Sequence, residues 1–352
     1  MIQQFTNGFK SLRKIPDKKI IGFLFLCGAV LIYLFNRFHL VKEEEIKQLF
    51  NSIIQFSGIF SAILITFIIS KVLQLRQERM ERRKEIIRFA NKTTDFRRIA
   101  RVLKNSLEFW NKDMRNKMDN KYRALDIFVI QLWDNEKKKN SAELKNLRDE
   151  FFKEENIPGA YLYLDLKSLV LDDDSNLNLE LYDRYDYDYT YSKEIIEKWS
   201  DARCGNNLWY CLEHKWHSYG HCFDFFALRR QDQAEIVALC KKINSQKYSN
   251  NKFDKDLLAS VGSEFDGYIL PRLKELTYYN TLGLPVSLNF LLLILFLTII
   301  SGVLLPLLMT AIKVEKEMLL VTSYIAVGVL CISFLYFLFK FRIILNSEIK
   351  IE

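Results

Sequence analysis

The amino-acid sequence predicts a mainly α-helical integral membrane protein, with four transmembrane helices arranged as two hairpins and a cytosolic α+β insert between spans two and three. Three observations support this prediction. Apolar residues collect near the two ends of the 352-residue chain, while the middle is rich in charged residues. Lys and Arg are distributed unevenly over the segments that flank the apolar runs. The middle of the chain shows first a helical and then a strand-like spacing of apolar residues.

Four apolar runs are each long enough to cross a bilayer. They form a first hairpin over 20–70 and a second over 281–340, with spans at 20–36, 53–70, 285–312 and 318–339. These runs mostly lack the polar positions at a period of 3.6 residues that a helix of a water-soluble protein would show. Their interiors contain no Asp, Glu, Lys, Arg or His, and this disfavours a proton relay or an ion-coupled carrier.

The basic residues predict the orientation of these spans. The N-terminal segment 1–19 has five Lys and Arg residues against one acid, and the segment that follows the second span, KVLQLRQERMERRKEIIR, is also basic. The loops inside both hairpins are close to neutral. Because an excess of Lys and Arg marks the cytoplasmic side, we expect 1–19, the insert 71–280 and the tail 341–352 in the cytosol. The cytosol is reducing, so no disulfide framework is expected.

The insert begins with a predicted basic helical stalk over 71–135. Its segment 71–123 contains 17 Lys and Arg residues against 7 acids, a net charge of +10. Apolar residues then recur every three or four positions, which is typical of a long amphipathic helix. Further on, AYLYLDLKSLVL and LNLELY alternate between apolar and polar residues around the turn-like DDDSN. This pattern predicts a β-hairpin over 160–185.

The stretch CGNNLWYCLEHKWHSYGHC concentrates side chains that could bind a metal. They are Cys204, Cys211, His214, His217, His221 and Cys222. Thiolates and imidazoles are the ligands of structural zinc, so zinc is one hypothesis for this stretch. The favoured alternative is a buried helix in which the aromatic residues pack and the histidines form hydrogen bonds, because one straight helix would hold His214 and His221 ~10 Å apart. A catalytic zinc is disfavoured further by the lack of an HExxH motif.

Four cations of the stalk are candidate ligands for a phosphate group, a nucleotide or an oligonucleotide. They are Arg97, Arg98, Arg101 and Lys104. Two other interpretations remain open: a solvated basic face, or pairing with the acidic tyrosine-rich tract YDRYDYDYTY within one protomer or between protomers. The more N-terminal cations, 71–88, most simply contact anionic lipid headgroups.

The spans also contain small and polar residues that could line a water-filled path between subunits. In the second span these are Gln55, Ser57, Ser61, Thr66 and Ser70. The same residues could instead form contacts between helices, because small and hydroxyl-bearing side chains allow close helix packing in a membrane. The sequence leaves both interpretations open.

The layout of two membrane hairpins that enclose a cytosolic module resembles the membrane effectors of bacterial anti-phage defence systems. The resemblance covers the architecture of the whole chain and includes no sequence motif. It implies spans that perturb or permeate the bacterial inner membrane, and we expect the protein to act there as a homo-oligomer. In such a protein, an ion channel or pore is gated when the cytosolic domain binds a nucleotide, a nucleic-acid signal or a companion sensor protein.

Two other classes of protein are compatible with the same layout. One is a membrane-anchored scaffold or receptor that conducts no ions, and the other is a membrane-anchored metal-dependent enzyme. The sequence contains no nucleophile elbow, phosphate-binding loop, kinase motif set or dinucleotide fingerprint. We therefore expect that the protein is not an enzyme.

Overall fold

The structure is a computed structural model that describes residues 43–133, 142–154, 157–170, 190–214, 222–249, 252–280, 286–312 and 315–349. These residues are mainly α-helical, and the β-pairing among them is a single antiparallel bridge between Trp110 and Phe223. The chain divides into two compact units. We call Met1–Glu78 with Gly283–Glu352 the terminal unit, and Arg79–Leu282 the central unit.

The described helices follow one another along the chain. They are α1 (Glu43–Asn105), α2 (Lys112–Asn116), α3 (Ile127–Gln131), α4 (Ala142–Lys153), α5 (Ile157–Val170), α6 (Lys193–Asp201), α7 (Asn206–His214), α8 (Arg230–Ile243), α9 (Lys255–Glu264), α10 (Leu270–Asn280), α11 (Val286–Ile299), α12 (Leu305–Ala311) and α13 (Lys316–Ile349). Helix α1 begins in the terminal unit and ends in the central unit. Single π-helical turns follow α2, α9 and α11, at Lys117–Lys121, Phe265–Ile269 and Ile300–Leu304.

Three of the described helices are long and apolar enough to cross a membrane. These segments are Glu44–Asn105, Leu288–Ala311 and Lys316–Phe339, whose most apolar windows have mean hydropathies of 2.1, 2.8 and 2.3. Two of them contain the second and fourth predicted spans and Leu288–Ala311 lies within the third, so the structure supports a membrane association. The first predicted span, 20–36, lies outside the described residues.

The helices of the terminal unit pack through two apolar clusters. In one cluster Phe60 and Leu64 of α1 lie against Ile294 of α11, and the ring of Phe60 meets that of Phe334 edge-on at 5.2 Å between centroids. The other cluster joins the N-terminal end of α1 to α13, and its buried members are Ile46, Phe50, Ile53, Leu319, Ala326 and Leu330. Helix α1 therefore has a buried face toward α11 and another toward α13.

Close approach of the helices depends on a glycine in the π-helical turn after α11. Ser57 of α1 is fully buried, and a Cβ atom added to Gly302 would overlap its side chain and lie 3.0 Å from Leu330 Cδ2. Pro306 follows in the first turn of α12, where its missing N–H is tolerated. The third predicted span thus changes its helical geometry where it meets Ser57, as small residues at membrane helix contacts allow.

Substitution of Gly302 by Ala should destabilise the terminal unit, because the new methyl group would force apart tightly packed helices, at a cost of about 1–3 kcal/mol. We expect a thermal unfolding midpoint several degrees lower for the detergent-solubilised protein, measured by circular dichroism. Gly58→Ala is the matched control, since a Cβ there has no atom within 4 Å. Equal midpoints for the two variants would contradict the contact between Gly302 and Ser57.

The centre of the central unit is helix α5. Of its residues 159–170, all are buried except Tyr161 and Val170, which are partly buried. The predicted β-hairpin over 160–185 is therefore wrong for its first strand, while 171–185 lies outside the described residues. The alternation of Leu162, Leu164 and Leu166 looked like a strand with one buried face. In the folded chain the intervening residues are buried as well. A helix that is covered on all sides has no amphipathic period, so the spacing of its apolar residues does not identify it as a helix.

Three polar side chains of α5 form hydrogen bonds with other segments of the central unit. Lys167 Nζ donates to the carbonyl oxygens of Arg123 and Leu125, at 2.6 and 2.7 Å. Ser168 Oγ accepts a hydrogen bond from the backbone N–H of Ile127 at 2.9 Å, at the start of α3. Tyr163 donates its hydroxyl hydrogen to Asp119. These bonds offset the desolvation of buried polar groups and attach the surrounding loops to α5.

Candidate functional site

Arg97, a predicted phosphate ligand, is part of the interior of the central unit. Its side chain is fully buried and donates through Nε to the carbonyl oxygen of Leu169, in the last turn of α5. Its Nη1 lies 3.3 Å from the hydroxyl of Tyr191, and its guanidinium carbon lies 5.0 Å from the ring centroid of Trp199. Arg97 thus stabilises the C-terminal end of α5, where helix carbonyl groups need donors.

The other three predicted phosphate ligands lie on partly buried faces of α1. Arg98 pairs with Asp95 one turn earlier, at 3.1 Å, and the Arg98 side chain is only 12% exposed. Arg101 is half-buried. Burial lowers the pKa of Lys104, and the nearby Asp119 partly opposes this effect. The structure therefore does not assemble the four cations into one open basic surface, although all four belong to the same helix.

The predicted metal ligands are distributed over several environments. Cys204, Cys211 and Cys222 are buried, whereas His214 is exposed at the end of α7. His217 and His221 lie outside the described residues. Within the described part of the chain, no group of three or more His, Cys, Asp or Glu side chains is placed to hold a metal ion. The zinc hypothesis therefore stays a prediction.

The buried thiols are protonated at neutral pH in this environment. Burial raises the pKa of Cys211 to about 12 and also raises the pKa values of Cys204 and Cys222. A protonated thiol is a weak ligand until a metal displaces its proton. The ring of His214 lies 5.5 Å from that of Trp209 and 5.6 Å from that of Tyr210, but His214 is exposed and not buried as the packed-helix interpretation predicted.

A buried carboxyl group that the sequence interpretation did not select lies beside this stretch. Asp165 of α5 accepts hydrogen bonds from the backbone N–H groups of Gly205, at 3.0 and 3.1 Å, and Asn207, at 3.2 Å. It thereby caps the first turn of α7. Gly205 has a φ of +91°, a conformation that favours glycine. An acid inside the apolar run AYLYLDLKSLVL was the available clue, since buried carboxyl groups need donors.

Burial raises the pKa of Asp165 to about 7, although the backbone hydrogen bonds oppose this shift. The folded state therefore holds the proton more tightly than the unfolded state, in which an aspartate has a pKa near 4. The contribution of this group to stability is fully present below pH ~4 and is lost as the pH rises towards 7.

Replacement of Asp165 by Asn should remove this pH dependence while keeping an acceptor oxygen for the N–H groups of α7. We expect the wild-type protein to lose stability relative to Asp165→Asn between pH ~4 and ~7. The measurement is urea unfolding followed by tryptophan fluorescence, because all five Trp residues belong to the central unit. A pH-independent difference between the two proteins would contradict the raised pKa.

The five predicted pore-lining residues divide between two faces of α1. Ser57 is fully buried and Ser61 is 7% exposed, and neither hydroxyl has a hydrogen-bond partner among the described residues. Gln55, Thr66 and Ser70 are exposed. At 100° per residue, these three lie within ~60° of one another, while Ser57 lies ~160° from Gln55 around the helix. Ser57 and Ser61 therefore belong to the packed interior of the terminal unit.

The exposed face of α1 around Gln55, which we call the Gln55 face, consists of Gln55, Ile59, Ala62, Thr66 and Ser70. Thr66 donates its hydroxyl hydrogen to the carbonyl oxygen of Ala62 at 2.9 Å, one turn earlier. The amide of Gln55 has no such partner among the described residues. An unsatisfied amide in an apolar solvent costs on the order of 2–7 kcal/mol. A face of this kind is unusual for a helix that contacts lipid alone.

The chain matches no protein-family model, no curated protein and no solved structure.

Proposed function

We propose that the protein is an oligomeric membrane effector in a bacterial inner membrane. Its terminal units would form an ion channel or pore, and its central unit would gate the channel from the cytosol on binding a nucleotide, a nucleic-acid signal or a companion protein. The observation that carries this proposal is the Gln55 face, which combines an amide and two hydroxyl groups on the exposed side of an apolar helix.

An oligomer provides these groups with a suitable environment. If several copies of α1 surround one axis, Gln55, Thr66 and Ser70 contact water or the equivalent residues of neighbouring copies instead of hydrocarbon. The buried face of each α1 already packs against α11 and α13 of its own chain. None of the described residues covers the Gln55 face, which in this proposal provides the contacts between subunits.

Gating can use the continuity of α1. This helix runs without interruption from Glu43 to Asn105 and contains both the Gln55 face and the buried Arg97. A ligand that shifts the position of α1 in the central unit would change the orientation of the Gln55 face as well. A change from 1% to 99% open requires ~5.5 kcal/mol of differential binding, which several subunits can share.

Cysteine cross-linking tests the assembly. Gln55→Cys and Thr66→Cys should each form a disulfide-linked dimer on oxidation in membranes, because equivalent positions face each other near the axis. The background carries Cys27→Ser and Cys331→Ser, so that no other cysteine of the apolar segments reacts. Ile65→Cys is the control, since Ile65 is exposed but lies ~100° from Thr66 around α1.

Equal cross-linking at positions 65 and 66 would contradict an ordered interface at the Gln55 face. Monomeric protein at all three positions would contradict the oligomer.

Single-channel recording tests conduction. If the channel is open for ~1% of the time without ligand, its openings can still be counted in a planar bilayer, and the ligand need not be known. The double variant Gln55→Leu with Thr66→Val should reduce the unit conductance about tenfold, because an apolar constriction loses its water. Ser61→Ala, which removes a hydroxyl group from the buried face, should leave the conductance unchanged.

The absence of openings from wild-type protein that cross-links as an oligomer would support the non-conducting scaffold instead. Unchanged conductance in the double variant would exclude the Gln55 face as the lining of the path.

A further inference from the structure

A cleft lies between α6 and α10 in the central unit. Its volume is about 330 Å³, which lies within the range of small-molecule sites. The side chains that give it chemical character are Lys193, Glu197, Ser200, Lys274, Glu275 and Tyr278. Residues ~80 positions apart in the chain thus meet at one site. The sequence offered no motif for this combination.

Two ammonium groups of the cleft are available to an anion. Lys193 lies 3.6 Å from Glu197, and Lys274 lies 2.8 Å from Asp201 and 3.2 Å from the hydroxyl of Ser200. The side chains of both ion pairs are between 38% and 53% exposed. Exposed pairs of this kind contribute only ~0–1 kcal/mol. A phosphate group with up to two negative charges can therefore replace the carboxylates, and Ser200 adds a hydroxyl donor.

Aromatic and apolar side chains form another part of the cleft. Tyr278 and Tyr279 are 54% and 46% exposed, and their ring centroids are 5.9 Å apart. Ile196 and Pro271 add apolar surface. Lys193 Nζ lies 5.5 Å from the ring centroid of Tyr278, so the ammonium group and the ring can contact adjacent parts of one ligand. Exposed tyrosine rings provide stacking surfaces for planar bases.

The acidic side chains narrow the choice of ligand. Glu197 and Glu275 also line the cleft, and Glu275 pairs with Arg272 at 2.8 Å. Inorganic phosphate would leave these carboxylates and the tyrosine rings without a partner, and two lysines would repel a simple cation. A nucleotide has a group for each part of the site: a phosphate for the lysines, ribose hydroxyls that donate to a carboxylate, and a base for the tyrosines.

We propose that this cleft binds a single nucleoside phosphate. Its volume of about 330 Å³, at the lower end of the range for small-molecule sites, suits a ligand of the size of one nucleotide unit. As a statement about binding, the proposal stands without the channel. As an account of gating, it rests on the proposed function above and places the ligand on α6 and α10 instead of on Arg97, Arg98, Arg101 and Lys104.

Equilibrium dialysis of the full-length protein in detergent tests the site, with labelled AMP, GMP, CMP and UMP as probes and with adenosine and inorganic phosphate as partial ligands. We expect at least one mononucleotide to bind at least tenfold more tightly than either partial ligand. Lys193→Gln and Lys274→Gln should each weaken its binding about tenfold, which corresponds to one charge-assisted contact. Tyr278→Ala should weaken it as well.

Lys198→Gln is the matched control, because Lys198 lies on the same helix as Lys193, does not line the cleft and has its ammonium group over the ring of Phe128. The Lys198→Gln variant should bind the mononucleotide with the same affinity as the wild-type protein. No binding of any mononucleotide below 1 mM would overturn the proposal, and so would unchanged affinity in Lys193→Gln and Lys274→Gln. Phosphate that binds as tightly as the nucleotides would reduce the site to an anion site and overturn the assignment. Nucleotide binding without channel openings would contradict the proposed function and leave the site intact.

Discussion

The enclosure of helix α5 is the constraint on which the central unit depends. A helix without an exposed face must satisfy every polar group inside the protein, because water cannot do so. Asp165 accepts hydrogen bonds from the first turn of α7, and Lys167 donates hydrogen bonds to the carbonyl oxygens of residues 123 and 125. Arg97 caps the C-terminal end of α5. One buried helix thus specifies the positions of segments that are distant in the sequence.

In the terminal unit, local bonds satisfy some of the buried hydroxyls, whereas those of Ser57 and Ser61 have no hydrogen-bond partner among the described residues. The buried hydroxyls of Thr298, Ser301 and Thr322 each donate to a carbonyl oxygen of their own helix one turn earlier, at 2.7–2.9 Å. Such side chains permit close packing without a partner on another helix. The amide of Gln55 also has no partner among the described residues, and it differs from the hydroxyls of Ser57 and Ser61 because it lies on an exposed face. This contrast directs the functional argument to α1 and not to the hydroxyls inside the bundle.

Much of the helical architecture was accessible from the sequence, because runs of apolar residues long enough to cross a bilayer identify helices regardless of the tertiary packing. The strand assigned to 160–170 was wrong for the converse reason. A helix buried on all sides has no period, so the alternating leucines of α5 carried no information about its conformation. The candidate sites were even harder to predict from the sequence. Arg97 looked like a ligand of a phosphate, but the fold uses it to cap α5, and the residues of the cleft share no motif.

The sequence by itself determined where apolar and charged segments lie and which segments are long and apolar enough to cross a membrane. These properties follow from local composition. The tertiary structure alone decided which face of each helix is buried. It separated Gln55 from Ser57, placed Arg97 in the interior and brought Lys193 and Lys274 to one cleft. Burial and proximity depend on partners far away in the chain, and no local pattern records which partners a residue will meet.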